Sequence, residues 1–402
     1  MRLPSDYFLL PSTPPLAAII ANFAIMNHRN DRIAIVKGLA IILMVIGHAE
    51  AYSIITNFIY LFHMPVFFIA AGYFFKEANL QDPYGYVKRR AKGLYLPFVK
   101  WALFFLVIHN LMFSIGILNE EYGNVQGGVT HPYNLSQFVQ RFFLILFSMG
   151  GYDEFLAGAF WFFRALLVVS VVYLILTKLL RHFYPRISLI WISAIIGAAS
   201  LVFAMIKIDF GLRIPTIVQG GIRETWGLFF FSMGPVIRTL LSRYTLRIWQ
   251  FFLLVGFLCV GAFYHWKGMN LTPQMNDVLT LPLTGLAGFL VLDRIALWLT
   301  DSGSIARRFL TYCGVMTLYI YVFHIIAFKA VSLIKIWWFS LDPAQIGCHM
   351  VIHDYAPADC FWILYSIAGV ALPIACIYCY NKVRAFIKSQ SPRPATDPIE
   401  SA

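Results

Sequence analysis

Charge is what this chain lacks most. Of its 402 residues only 12% are Asp, Glu, Lys or Arg, where soluble domains carry about a quarter. A globular protein this poor in charge could not cover its own surface with polar groups, whereas a bilayer removes that demand. Cysteine is scarce as well. None of the six, at positions 259, 313, 348, 360, 376 and 379, has metal-type spacing. Cys376 and Cys379 lie in an apolar run and read as packing residues. Only Cys348 and Cys360 share a polar loop, and a disulfide between them is expected if that loop faces an oxidising compartment. No repeat relates the two halves. No cleavage pattern of the A-x-A kind closes the apolar stretch 16–26, which is too short to span, so no signal peptide is read. Met26 precedes the polar run 27–31 and is a candidate true start.

What the chain has instead is apolar length. Hydrophobic residues make up 60% of it and the mean hydropathy is +0.72. Runs long enough to span a bilayer occur at 33–52, 58–75, 94–117, 159–180, 188–206, 218–237, 249–266, 278–300, 311–334 and 361–381. Residues 138–149 are better suited to a re-entrant or interfacial helix. The expectation is an all-α, polytopic membrane protein with about ten transmembrane helices. It consists of an N-terminal segment 1–28, one membrane domain 29–388 and a tail 389–402.

The formal net charge of +12 would raise nucleic acid in a soluble protein. Here the cations sit in short loops between apolar runs and alternate in side. One side collects Arg29, Arg32, Lys76, Lys88, Arg89, Arg90, Lys92, Lys178, Arg181, Arg186, Arg238, Arg243, Arg247, Arg307, Arg308, Lys382, Arg384, Lys388 and Arg393. The other has Arg141, Lys207, Arg213, Lys267 and Lys335. By the positive-inside rule this phase places both termini in the cytoplasm and makes lipid, not nucleic acid, the large partner.

Ionisable side chains inside apolar runs are costly and therefore candidates for function. Lys37 and His48 lie on the first run, eleven residues apart, on one helical face and about 16 Å apart along the axis. The plainer reading is that Lys37 snorkels to the cytoplasmic surface and His48 caps the outer end. His63 opens the second run, where the hairpin brings it near His48. Arg164 lies deep in the fourth run, and an ion pair with Glu154 or Glu224 competes with substrate binding as its role. His324, in the ninth, reads as a hydrogen-bonded packing residue. The loop 335–360 carries His349, His353, Asp354 and Asp359 without a helical metal-ligand context, so no metal site is assigned. It reads as a lid over one end of the helices.

These residues carry a family resemblance. The basic–x10–His pattern of Lys37 and His48 resembles the acyltransferase-3 family of membrane O-acyltransferases. The segment 62–76, beginning Phe-His-Met-Pro, is similar to that family's second helix, and 88–97 to the approach to its third. Phe160–Leu166 and Tyr319–His324 resemble later helices. The nearest flavour is the sugar O-acetylase branch that includes fucose 4-O-acetylase. Two departures stand out. Lys37 occupies a position where Arg is commoner and loses the bidentate fork. Ala34 stands where an acid is often found.

The resemblance implies acyl transfer from cytoplasmic acyl-CoA, most simply acetyl-CoA, to a hydroxyl of a cell-surface or exported carbohydrate at a bacterial inner membrane. Acyl-CoA is a co-substrate, and no permanently bound cofactor is implied. His48 is the expected base, since a neutral imidazole can take the proton of an attacking hydroxyl. His63 is expected to polarise or orient it. Lys37 would stabilise charge on the donor side, and Lys88, Arg89, Arg90 and Arg164 would bind acyl-CoA or substrate. A secondary transporter or glycan exporter of similar helix count is the alternative, though that class tends to show internal repeats.

Overall fold

A computed structural model describes residues 31–390 apart from 126, 127, 216 and 301. The expected N-terminal segment, the Met26 start and most of the C-terminal tail lie outside the described residues. Helices dominate, and the β structure among the described residues is a two-residue ladder pairing Asn124–Val125 with Gly128–Val129.

The first hairpin consists of α1 (Asp31–Gly47), α2 (Ser53–Tyr60) and α3 (His63–Tyr73). Then come α4 (Pro83–Arg90), a π-helical stretch (Ala91–Tyr95), α5 (Leu96–Ser114) and α6 (Leu135–Ser148). After them run α7 (Trp161–Phe183), α8 (Leu189–Asp209), α9 (Ile222–Arg243) and α10 (Ile248–Phe263). The chain closes with α11 (Asp277–Thr300), α12 (Ile305–Val315), α13 (Thr317–Phe339) and α14 (Phe361–Gln390).

Seven segments among the described residues are long and apolar enough to cross a membrane: 53–73, 83–114, 158–183, 189–209, 277–300, 317–339 and 361–384. This is a multi-pass membrane protein. Three of the ten expected spans fall short by that measure for different reasons. Helix α1 has 17 residues and α10 has 16, whereas α9 is long enough but carries Arg223, Glu224, Arg238 and Arg243. The expected span 311–334 is two helices, broken at Met316, and its long member extends to Phe339.

Helix α1 is largely enclosed, with Ile33, Ile35, Val36, Ala40, Ile41, Met44 and Val45 all in the core. A helix whose residues are predominantly apolar belongs in the interior. It packs against α2, α3, α11, α12, α13 and α14, so its C-terminal end is fixed from several sides. The crossing with α12 is unusually close. A Cβ on Gly38 would lie 2.0 Å from the Leu310 carbonyl oxygen, and one on Gly314 would lie 1.8 Å from that of Ala34. Small residues let membrane helices approach to backbone contact. Two ion pairs fasten the other end of α1. Arg32 grips Asp293 on α11, and Asp31 meets Arg307 on α12 at 2.7 Å.

Several hydroxyl groups within the bundle are satisfied by their own helices, as lipid favours. Ser170, Thr177, Ser193 and Ser200 donate to carbonyls four residues earlier in their own helices. Helix ends use local chemistry. Asn134 and Gln137 form a capping box at α6, and Asp82 caps α4 ahead of Pro83.

Candidate functional site

Residues beyond Gly47 turn out of α1, and His48 is the first of them. Its Nδ1 lies 2.9 Å from Nε2 of His324, which sits two turns into α13. His324 in turn has its Nδ1 2.8 Å from the Tyr321 carbonyl oxygen. A carbonyl only accepts, so His324 Nδ1 carries a hydrogen and its Nε2, in a neutral ring, offers a lone pair. His48 Nδ1–H must then be the donor between the rings. That leaves His48 Nε2 as an acceptor, the state a general base needs.

His63 is fixed by the same logic. It is buried at the first turn of α3, and its Nδ1 donates to the Ile59 carbonyl at 3.0 Å. Tyr60 separates the two hairpin histidines. Its ring centroid is 6.5 Å from that of His48 and 5.2 Å from that of His63, and its hydroxyl donates to Gly47 O at 2.8 Å. His48 and His63 face one cavity of about 540 Å³, which the loops 264–276 and 340–360 also wall. The partner that touches His48 is thus His324, whereas sequence reasoning gave the orienting role to His63. Nothing in a lone histidine on an apolar helix marks it as a partner, and the two residues are 276 positions apart.

Lys37 is half-buried on α1 and does not line this cavity. The structure therefore keeps the two residues of the basic–x10–His pattern apart, Lys37 within α1 and His48 just beyond its C-terminal end. Arg164, on α7, is buried and pairs with Glu224 on α9, Nε to Oε1 at 3.2 Å, which gives it a structural ion-pair partner. Its neighbour in space, Arg223, does reach the cavity and lies over the Trp161 ring at 4.1 Å. Arg223 is not among the site residues expected from the sequence.

The basic stretch on α4 is divided. Lys88 and Arg89 are exposed, with Arg89 3.3 Å from Asp82. Arg90 turns inward, donates to the Tyr86 hydroxyl and the Ala71 carbonyl, and lies over the Phe231 ring.

The loop between α13 and α14 is anchored by two buried lysines. Lys329 Nζ donates to the carbonyls of Ile346, at 2.8 Å, and Cys348. Lys335 Nζ donates to Ile352 O at 2.7 Å and lies 2.6 Å from Asp359 Oδ2. The loop brings His349 to the cavity wall. On its outer side His353 meets Glu50 at 3.4 Å, tying it to the first hairpin. Glu50 raises the pKa of His353, and the hydrogen bond in turn lowers that of Glu50. Cys348 and Cys360 are both free thiols in this structure, and lysine contacts hold the loop. Among the described residues no group of three His, Cys, Asp or Glu side chains is arranged to hold a metal ion.

A second polar feature lies apart from this cavity. His109 on α5 is fully buried, bonds to Asp153 through Nδ1 and to the His131 carbonyl through Nε2, and stacks on Tyr133 with centroids 3.7 Å apart. Asp153 also accepts from the backbone N–H groups of Phe155 and Leu156. This network joins α5 to the loop ahead of α7 and so fixes one wall of the site.

No curated protein and no solved structure matches the chain. A family model described as an acyltransferase domain matches residues 30–381.

Proposed function

The chain belongs to the acyltransferase-3 family, and we propose that it moves an acetyl group from acetyl-CoA to a hydroxyl of a cell-surface or exported carbohydrate. The observation that carries this reading is the His48–His324 contact at the wall of a large cavity. A sugar hydroxyl is a poor nucleophile at neutral pH, and an oriented imidazole lone pair is what it lacks. His48 Nε2 removes the hydroxyl proton as the oxygen attacks the thioester carbonyl. The positive charge that develops on His48 is shared through Nδ1–H with His324, whose own hydrogen is held by Tyr321 O. When the tetrahedral adduct collapses, the carbon–sulfur bond breaks and the CoA sulfur takes the proton back from His48. Protons and charge balance without a further reactant.

Lys37, Lys88, Arg89 and Arg90 form the donor side in this proposal, with the exposed Lys88 and Arg89 suited to CoA phosphates. With Lys88 and Arg89 cytoplasmic, donor and acceptor approach the first hairpin from opposite leaflets of a bacterial inner membrane. The transporter alternative draws no support from the family match.

The direct test supplies the purified full chain with radiolabelled acetyl-CoA and a glycan extract. Label should pass to glycan, and His48→Ala should abolish transfer while leaving the thermal midpoint within a few degrees of wild type. Full activity in that variant overturns the site assignment. Solute flux across vesicles without consumption of acetyl-CoA overturns the function.

A further inference from the structure

Beside each histidine of the site the cavity carries an apolar side chain. Met44 stands one turn before His48, Met64 directly follows His63, and Ile325 directly follows His324; all three line the cavity. Met44 and Ile325 are each 2% exposed, and Met64 is half-buried. Tyr60 and Tyr321 line it too, but their hydroxyls donate to the backbone carbonyls of Gly47 and Ala159. Charged side chains reach the cavity from other elements. Arg223 comes from the first turn of α9, Lys267 from the loop 264–276 and Glu154 from the loop ahead of α7.

Met44 has the most informative place of the three. The His48 N–H still donates to the Met44 carbonyl at 3.2 Å, so the helical turn runs on through His48 and keeps the two residues on one face. Lys37 lies seven residues before Met44 on that face, about 10 Å along the axis. Met44 thus occupies the interval between the donor-side lysine and His48. A thioester carbonyl must come to that end of the interval if a hydroxyl activated at His48 is to attack it. The acyl chain projects from the carbonyl on the side away from sulfur and needs apolar surroundings, because charged or amide groups there would lose water without gaining a partner. The wall also has a fixed position, since α1 is packed on several sides by other helices.

We propose that Met44, Met64 and Ile325 form the acyl pocket, and that Met44 limits the donor to a short acyl group such as acetyl. This rests on the acyl-CoA reading above and adds to it the side chain that sets chain length. Met44 closes the pocket, and a longer chain meets a buried side chain with the core behind it. Alanine at this position would free the volume of about three heavy atoms, enough for the extra methylenes of a butyryl group. His48 keeps the proton transfer, and Met44 acts on the fit of the donor alone.

The test uses full-length protein in lipid nanodiscs with radiolabelled acetyl-CoA or butyryl-CoA and the glycan extract, reading both label transfer and release of the CoA thiol. Wild type should favour acetyl-CoA by about tenfold or more in kcat/KM. Met44→Ala should raise kcat/KM for butyryl-CoA roughly tenfold, the size expected when the extra methylenes enter apolar surroundings. It should lower that for acetyl-CoA and leave the glycan KM little changed. Met44→Leu, close in volume, should keep the acetyl preference. Met44→Val should shift the ratio the same way by less, and it carries the test if Met44→Ala fails to fold. An unchanged acetyl-to-butyryl ratio in the folded variants overturns the proposal, as does a change confined to the glycan KM. Wild-type use of butyryl-CoA as readily as acetyl-CoA overturns it as well. Loss of activity with both donors in folded Met44→Ala makes Met44 part of the framework of His48 and overturns it too. Consumption of neither donor by wild type overturns the acyl-CoA reading itself, and this inference with it.

Discussion

Nδ1 of His48 and Nε2 of His324 lie 2.9 Å apart, and the Tyr321 carbonyl behind His324 fixes which nitrogen of each ring carries hydrogen. The two histidines act as a unit in that geometry. His48→Ala should lower kcat by about 10²–10⁴, the usual contribution of a general base. His324→Ala should lower it less, and His324→Gln less again, because the glutamine oxygen still accepts from His48 Nδ1–H. The double His48→Ala, His324→Ala variant should be no slower than His48→Ala alone. Multiplying effects in steady-state kinetics would show that the residues act independently.

Lys335 and Asp359 form a buried contact at 2.6 Å with both side chains almost fully enclosed. Removing one member strands the other charge, which costs about 3–5 kcal/mol where such a pair is broken. Lys335→Met should therefore lower the thermal midpoint strongly and expose the loop 340–360 to protease. Lys335→Met combined with Asp359→Leu should recover much of the loss. A single variant as stable as wild type would mean that the pair contributes nothing.

His353 and Glu50 join the same loop to the first hairpin at 3.4 Å. The His353 pKa is raised, so its contribution is complete below the unfolded value and disappears as pH rises through the folded one. Glu50 is lowered, so its contribution is complete above its unfolded value and disappears as pH falls through the folded one. The contact is therefore made between those two limits. Amide exchange in residues 348–356 should quicken as pH is raised from about 6 to about 8, once corrected for intrinsic rates. Glu50→Gln should flatten that dependence, and added salt should weaken it because both groups are largely exposed. A wild-type profile identical to that of Glu50→Gln would remove the contact from solution behaviour.

Gly314 has no room for a side chain. Its Cβ would come within 1.8 Å of the Ala34 backbone oxygen, and backbone cannot step aside as a flexible side chain can. Gly314→Val should push α12 from α1 and cost more than about 1–3 kcal/mol, the ordinary range for overpacking. Gly93, with open space around it, is the control, and Gly93→Ala should be tolerated. Yield and thermal midpoint in detergent would check both.

All six cysteines are free, and Cys360 is exposed. Maleimide should label Cys360 equally with and without reductant, and Cys348→Ser should leave that labelling unchanged. Labelling that requires reductant would restore the bridge.

Much of the fold was legible because a bilayer enforces simple rules. Apolar runs of spanning length mark helices, and the small charge fraction removes soluble alternatives. The first hairpin was equally legible, since Lys37, His48 and His63 are ionisable residues in apolar surroundings. Boundaries were less so. The break at Met316 lies inside continuous apolar sequence and reflects how α12 crosses α1, which hydropathy does not encode. The role of Arg164 was open between substrate binding and an ion pair with Glu154 or Glu224, and its contact with Glu224 depends on how α7 meets α9.

The sequence by itself determined that this is a helical membrane protein, and it marked His48 in the first hairpin as the residue to test. The first follows from composition, and the second from the cost of placing ionisable groups in hydrocarbon together with the resemblance that the first hairpin carries. Only the tertiary structure decided what His48 touches. Its partner His324 and the cavity residues Arg223 and His349 come from helices and loops far apart in sequence. Hydrogen-bond geometry, not residue spacing, settles which ring nitrogens donate and which remain free to accept.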